Sequence, residues 1–467
     1  MNNPTITKDR STLNVSALRA GLAGDVLVPG DAEWDEARLA WNLAVDQRPA
    51  AVAFPESADD VVAIVDFARE HGLRVSAQGT GHNAGPLGPL GDTVLVKTSR
   101  MRGVEIDPES HRACVEAGAL WAEATEAAAE HGLAALAGSS PDVGVVGYTL
   151  GGGVSWLARK HGLAANSVLA VELVTADGRL VRADRENEPE LFWALRGGGG
   201  SFGVVTALEF ALYPIREVYA GAVFWPLERA GEILRVWREW VETVPDELTS
   251  VGRILQLPPL PQVPEPLRGR SFVLVEAVFL GDEAAGVDLL QPLRDLGPEI
   301  DTFATIPASA LDKLHMDPEE PVPYSGDGML LAELPAEAVD ALVAVAGPGS
   351  GSPLLTLEVR HLGGAVAERS PEHGALDAFD ARFGLFGAGI VMSPEMGAVV
   401  EAHAQAVKAA LEPWDAGRTY LNFAERPVDS EVLFGPDTYR RLREVKAEYD
   451  PADLIRANHP VSPQPID

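Results

Sequence analysis

Between residues 50 and 215, short runs rich in β-branched and apolar side chains alternate with longer stretches whose apolar positions recur at helical spacing. The two periods predict strands over 51–55, 74–78, 94–97, 112–117, 168–175 and 204–212, and helices over 59–71 and 191–195. Ala176-Asp-Gly-Arg179 is a tight turn between two of the strands. Three stretches end alike, as Glu-His71-Gly-Leu, Glu-His131-Gly-Leu and Lys-His161-Gly-Leu. A basic ring in a last helical turn with glycine just beyond it is C-cap chemistry, which accounts for all three histidines.

Beyond Pro214 the pattern changes. Residues 255–266 carry Pro258, Pro259, Pro261, Pro264 and Pro266 and read as an extended loop. Strands over 271–279 and 354–360 then alternate with helices such as 336–346, predicting a second domain whose sheet has helices on one side. The tail from 420 to 460 has its own loop and a helix over 436–446. The fold class is therefore α+β, without internal repeats.

The length of 467 residues, with 46% hydrophobic side chains, suits two or three domains with large cores. No apolar run approaches the ~18 residues of a membrane span. The first 22 residues lack the basic start, apolar middle and small-residue cleavage site of an export signal, so a cytoplasmic protein is expected. A net charge of −32 repels phosphate backbones and anionic membranes, which excludes nucleic acid and membrane surfaces as expected partners. The single cysteine, Cys114, forms no intrachain disulfide and is expected to be a small core residue. The ten histidines form no His-Glu-x-x-His and no Cys/His cluster, so no metal is expected.

Three loops crowd glycine beyond what turns need: Gln78-Gly-Thr-Gly-His-Asn-Ala-Gly85, the stretch Gly138–Gly153, and Gly197-Gly-Gly-Gly-Ser-Phe-Gly203. Glycine lets backbone N–H groups close on an anion without lysine, so three such loops favour a large phosphate-bearing ligand. Gly198-x-Gly200-x-x-Gly203 matches the dinucleotide fingerprint as letters only. A helix precedes it and a strand follows, the reverse of what that fingerprint requires.

At these loops the chain resembles the berberine-bridge-enzyme-like branch of FAD-linked oxidases, related to vanillyl alcohol oxidase. The resemblance runs from Arg48-Pro-Ala-Ala-Val-Ala-Phe-Pro and Gly79-Thr-Gly-His-Asn through 138–153 and 190–206. It ends on Tyr420-Leu-Asn-Phe and on Tyr449-Asp-Pro-Ala-Asp-Leu-Ile-Arg-Ala-Asn-His-Pro. It implies a two-lobed PCMH-type FAD-binding domain at 1–214, completed by 415–467. A substrate domain at 215–414, an antiparallel sheet covered by helices, completes the chain. It further implies that His82 bonds to the flavin 8α carbon. The expected FAD contacts are Gln78, Gly79, Thr80, Gly81 and Asn83, then Gly138, Ser139, Ser140, Gly144, Gly147, Tyr148 and Gly153, with Asn166, Val205, Asn422 and Asn458. Where many plant-type members carry a second covalent link from cysteine, this chain has Ser140. A hydroxyl is far less nucleophilic than a thiolate, so a single histidyl bond is expected.

The residues leave two places for a base. Thr356, Glu358 and Arg360 share one strand face, which in the family floors the substrate cavity; Glu358 is the leading base, unless it simply pairs with Arg360. Tyr420 begins the Tyr-x-Asn motif that lies by the flavin in relatives, and its phenol would act as base or hold the substrate oxygen. Tyr324 either lines the pocket or packs a loop. Val143, three positions after Ser140, occupies the place at which the family gates oxygen, unless it only packs between loop and flavin. The expectation is an oxidase acting on a C–O or C–N bond of a small hydroxylated or aromatic molecule, with O2 as acceptor and H2O2 as product. It would work as a monomer or weak homodimer. An oxygenase of natural-product biosynthesis on the same scaffold is the alternative.

Overall fold

Ala51–Phe54 and Thr93–Lys97 consist mostly of valine, alanine and leucine, buried on both faces, which suits the interior of a parallel sheet. Thr93–Lys97 pairs in parallel with Ala51–Phe54 on one side and Arg74–Gln78 on the other, and Asp25–Leu27 adds an antiparallel edge. The helix Ala58–His71 connects two of these strands. Ser57 accepts the Asp60 amide at its start, and Gly72 closes it in a left-handed conformation with φ 62°. The structure, a computed structural model, describes residues 13–261, 263 and 265–463. Part of the export-signal reading (residues 1–12) and Pro264 of the proline-rich stretch lie outside the described residues.

A second sheet holds five antiparallel strands in the order Val104–Asp107, Arg112–Glu116, Val204–Ala211, Val168–Val174 and Leu180–Asp184. Its alternation corrects one expectation. Ala113 and Val115 point into the core, so Cys114 between them stands on the outer face and is exposed. Partial desolvation, then the Glu209 and Glu105 carboxylates, push its thiol pKa up, so it is no reactive thiolate either.

The third sheet is antiparallel, in the order Ile300–Asp301, Glu217–Pro226, Ser271–Phe279, Leu248–Gln256, Thr356–His361, Phe383–Ile390 and Tyr324–Leu331, with Ala304–Pro307 also on Glu217–Pro226. Helices Ala230–Trp240, Ala336–Ala346 and Pro394–Leu411 cover one face. Ile233, Trp237, Leu342, Val400 and Val407 share a core there with Ile254, Val275, Leu357 and Leu385. Burying each such side chain is worth ~1.5–3 kcal/mol. From the opposite face, Val218, Ala220, Val251 and Val278 pack on Leu136, Trp156 and Leu157 of the N-terminal region. That opposite face also carries the polar residues described below.

The chain then returns to its beginning. Val75 and Arg456 amides bond the Leu454 and Val75 carbonyls, adding the tail to the edge of the first sheet. The fully buried Lys446, in helix Pro436–Tyr449, pairs with Asp450 at 2.6 Å and donates to the carbonyls of Ser201 (2.8 Å) and Ile455 (2.9 Å). A buried ammonium with this set of partners has its charge met, and it ties the third glycine loop to the tail.

Candidate functional site

The strand Arg74–Gln78 delivers the first glycine loop from its C-terminal end. Trp41 and Asn42 amides hold the Thr80 and Gly81 carbonyls at 3.0 and 3.5 Å. Gly81 has φ 90°, and a Cβ there would lie 2.7 Å from Gln78 Nε2, so the turn requires glycine. His82 follows and is contacted on three sides. Thr80 Oγ1 is 2.7 Å from its Nδ1, the Trp41 indole stacks on its ring at 4.0 Å and 18°, and Asp142 Oδ1 is 3.6 Å from its Nε2. The Trp41 indole N–H also donates to Asp142 Oδ2. His82 Nε2 and Asp142 Oδ1 are buried with no hydrogen-bond partner among the described residues.

Tyr324 belongs to this corner too. Its hydroxyl lies 2.8 Å from the His82 carbonyl and 2.9 Å from Glu425 Oε1. One hydroxyl proton cannot serve two acceptors. Burial pushes Glu425 up to about 8; below that pH its protonated form can donate to Tyr324 while Tyr324 donates to the His82 carbonyl.

The C-terminal motifs fasten the loops. Asn83 donates to the Leu421 and Ala424 carbonyls, both at 3.2 Å, and Asn458 donates to the Asn83 carbonyl at 3.3 Å. Asn422 donates to the Tyr148 carbonyl (3.0 Å) and the Tyr420 oxygen (2.9 Å), which also accepts the Val154 amide at 3.1 Å. Gly138 and Gly153 make room for the Tyr148 ring, since a Cβ at either would come within 2.9 and 2.5 Å of it. Val143 is half-buried against the same core, its carbonyl taking the Trp121 amide. Val205 is buried beside a register break in its strand. Asn166, expected beside the cofactor, has its amide committed to the loop 374–377, accepting from Gly374 at 3.0 Å and donating to the Asp377 carbonyl at 3.3 Å.

Whether these residues fit FAD can be tested on the cradle itself. Among the described residues, a Cβ at Gly79 or Gly144 would meet nothing nearer than 3.9 and 3.8 Å, and one at Gly147 nothing within 4 Å. Gln78 Nε2 and Asn83 Oδ1 beside them are buried and have no hydrogen-bond partner among the described residues. Open backbone next to unmatched donors and acceptors suits a large polar ligand. The residues fit: 78–83 and 138–148 would hold it.

Across from the second loop, the third sheet presents a cluster of charge. Glu358 lies 2.7 Å from Arg360 Nε and 2.5 Å from His315 Nε2, while His315 Nδ1 is 2.7 Å from Glu276. Arg253 adds contacts to Glu276 (3.3 Å), the His315 carbonyl (2.5 Å) and Thr356 Oγ1 (2.7 Å). Asp317 accepts the Ser140 hydroxyl at 2.6 Å, and Arg360 donates to Ser139 Oγ at 3.1 Å. Three carboxylates thus face two guanidiniums and one imidazolium. Burial works to raise the Glu358 pKa, but Arg360 and His315 overcome it and hold the carboxyl well below the usual range. Burial and Arg253 oppose the charge on His315, yet Glu276, Glu358 and Asp317 raise it to about 9. The pairing expected as the alternative for Glu358 is therefore the geometry found, extended by a histidine that no motif marked. A carboxylate this strongly ion-paired is a poor proton acceptor. Its neighbour His361 faces the other way, 3.1 Å from Arg159; burial, then Arg159, lowers it to about 3.

Residues 49–184 match the family described as FAD binding domain, and residues 419–462 the one described as Berberine and berberine like. Together with the glycine loops, this defines a FAD-linked oxidoreductase. The (R)-6-hydroxynicotine oxidase of Paenarthrobacter nicotinovorans is 29% identical over 95% of this chain and 97% of its own. A solved 6-hydroxy-D-nicotine oxidase from Arthrobacter nicotinovorans superposes with a TM-score of 0.82 at 27% identity, over 95% of this chain and 98% of that one. Physcomitrella patens BBE-like 1 shares the fold at TM-score 0.85 and 20% identity, over 97% and 100% of the two chains. The chain thus carries a FAD binding domain and a berberine-like C-terminal segment, and the relatives it matches over nearly its whole length include FAD-linked oxidoreductases.

Proposed function

We propose that the chain carries FAD through one covalent bond, to His82. With it, the chain oxidises a C–O or C–N bond of a small hydroxylated or aromatic molecule, dioxygen being the final acceptor and H2O2 the product. The observation that carries this is His82 itself, held by Thr80, Trp41 and Asp142 in a loop with open backbone on either side. A glucooligosaccharide oxidase from Acremonium strictum, similar in fold at TM-score 0.80 and 24% identity over 96% of this chain and 99% of that one, is described as carrying 6-S-cysteinyl, 8α-N1-histidyl FAD. Here Ser140 stands at the expected cysteine position, with its hydroxyl donated to Asp317, which supports a single link.

Bound FAD supplies a two-electron hydride acceptor. Tyr420 holds the substrate heteroatom. Two N–H groups occupy its oxygen, burial pushes its pKa up to about 12, and its own O–H remains to donate. Glu358, Arg360 and His315 shape a rigid polar floor rather than accept the proton.

Denatured protein should stay yellow, fluoresce on a gel and show the mass of one added FAD, while His82→Ala should release its flavin on denaturation. Free flavin released from denatured wild type, or a peptide joining flavin to Ser140, sinks the single-link reading. Peroxide release across a screen of aromatic amines and hydroxylated substrates then tests the reaction class.

A further inference from the structure

We infer that Asp142 is a positioning residue for the protein's own modification: it sets the tautomer of His82 so that Nδ1, and not Nε2, takes the flavin. This rests on the histidyl link proposed above. A neutral imidazole has one N–H and one lone pair, and only the lone pair is nucleophilic. Asp142 Oδ1 faces Nε2 and, being a carboxylate oxygen, can only accept, so it draws the proton onto Nε2. Thr80 Oγ1 lies 2.7 Å from Nδ1, and its hydroxyl can donate or accept there, so it is compatible with the tautomer that Asp142 selects. The carboxylate, which can only accept, makes the choice.

Asp142 is itself fixed. The Trp41 indole N–H donates to its second oxygen, and the same indole stacks on the His82 ring, so one side chain sets the carboxylate and the ring together. The distance of 3.6 Å exceeds a hydrogen bond, yet Nε2 and Oδ1 are both buried and neither has another hydrogen-bond partner among the described residues. Such contacts between working groups tighten when the ligand is in place.

The step balances. One bond forms between Nδ1 and the flavin 8α carbon, and one C–H bond of that methyl group and the imidazole N–H break. The two hydrogens and two electrons go to dioxygen, giving H2O2. As Nδ1 commits its lone pair, positive charge develops on the ring, and the facing carboxylate stabilises it and takes the Nε2 proton.

The test follows covalent incorporation rather than turnover. Protein made in riboflavin-starved cells is mixed with FAD, and gel fluorescence after denaturation gives the rate of attachment, alongside total bound flavin. Asp142→Asn should still take up FAD but attach it tenfold or more slowly, with Asp142→Glu restoring much of the rate. NMR of the flavin peptide from wild type should place the bond at Nδ1. Wild type that attaches no flavin removes the histidyl reading itself. Covalent wild type with an equally fast Asp142→Asn, or a bond at Nε2, overturns only the inference. If Asp142→Asn binds no FAD, Trp41→Phe decides: it keeps a ring to stack but loses the N–H, and attachment at the wild-type rate would refute the arrangement.

Discussion

His82 and His315 both sit beside carboxylates, but their surroundings differ in kind. Both nitrogens of His315 face carboxylates, Glu276 and Glu358, at 2.7 and 2.5 Å, and those carboxylates are met in turn by Arg253 and Arg360. His82 is partly open, and Asp142 stands 3.6 Å from its Nε2, with the other carboxylate oxygen taken by the Trp41 indole. The first is a buried, closed set of near ion pairs between opposite charges. The second is looser and partly solvent-exposed, which leaves its ring room to take part in chemistry.

The largest effect should come from opening the closed set. Glu358→Ala leaves Arg360 and His315 short of a carboxylate, and removing one partner of a buried pair costs ~3–5 kcal/mol. Denaturant midpoints should fall accordingly while flavin content is retained; an unchanged midpoint would mean the cluster is not the closed unit described here. The same cluster sets a pH dependence. His315 is raised from 6.5 to about 9, so its contribution to stability is full below pH 6.5 and is lost as pH rises through about 9. Glu358 is held low, so its share is present above the ordinary carboxylate pKa and lost only in acid. Melting temperatures should therefore drop as pH rises from 6.5 through about 9, and less steeply in Glu358→Ala.

Next in size is Tyr420→Phe, which removes the remaining O–H donor. Anaerobic flavin reduction should slow by ~10²-fold, the usual loss for one such donor. The isosteric Glu358→Gln should slow it much less. The reverse order in stopped-flow traces would return Glu358 to the role of base and break the contrast between the two sites. The smallest expected effect is at Val143, half-buried against the core beneath the second loop. Interiors pack tightly enough that one added methylene can exclude a diatomic molecule. Val143→Leu should slow reoxidation by roughly tenfold, ~1.4 kcal/mol of barrier, with substrate reduction intact. Equal reoxidation rates would make Val143 a packing residue only.

Local patterning was a good guide wherever its causes are local. The helix Ala336–Ala346 was readable to its ends, and Ala58–His71 to within one residue, because apolar period and, in the second, capping by Ser57 and Gly72 act within a few positions. The strand read over 354–360 forms over Thr356–His361, since its limits depend on the neighbours it pairs with. Cys114 failed as a core residue because alternation says that a strand has two faces, not which one is covered.

By themselves the glycine loops pointed to a large phosphate-bearing ligand, and the resemblance carried by Gly79-Thr-Gly-His82-Asn and the C-terminal motifs to a FAD-linked oxidoreductase, because phosphate cradling uses residues close together in the chain. What tertiary structure alone decided is what those residues face. Asp142, Trp41 and His82 come from three separate segments, as do Glu276, His315 and Glu358, and the charge states of His315 and Glu358 depend on partners far away in sequence. Electrostatic and hydrogen-bond energies depend on distance in space, and only the folded chain supplies those distances.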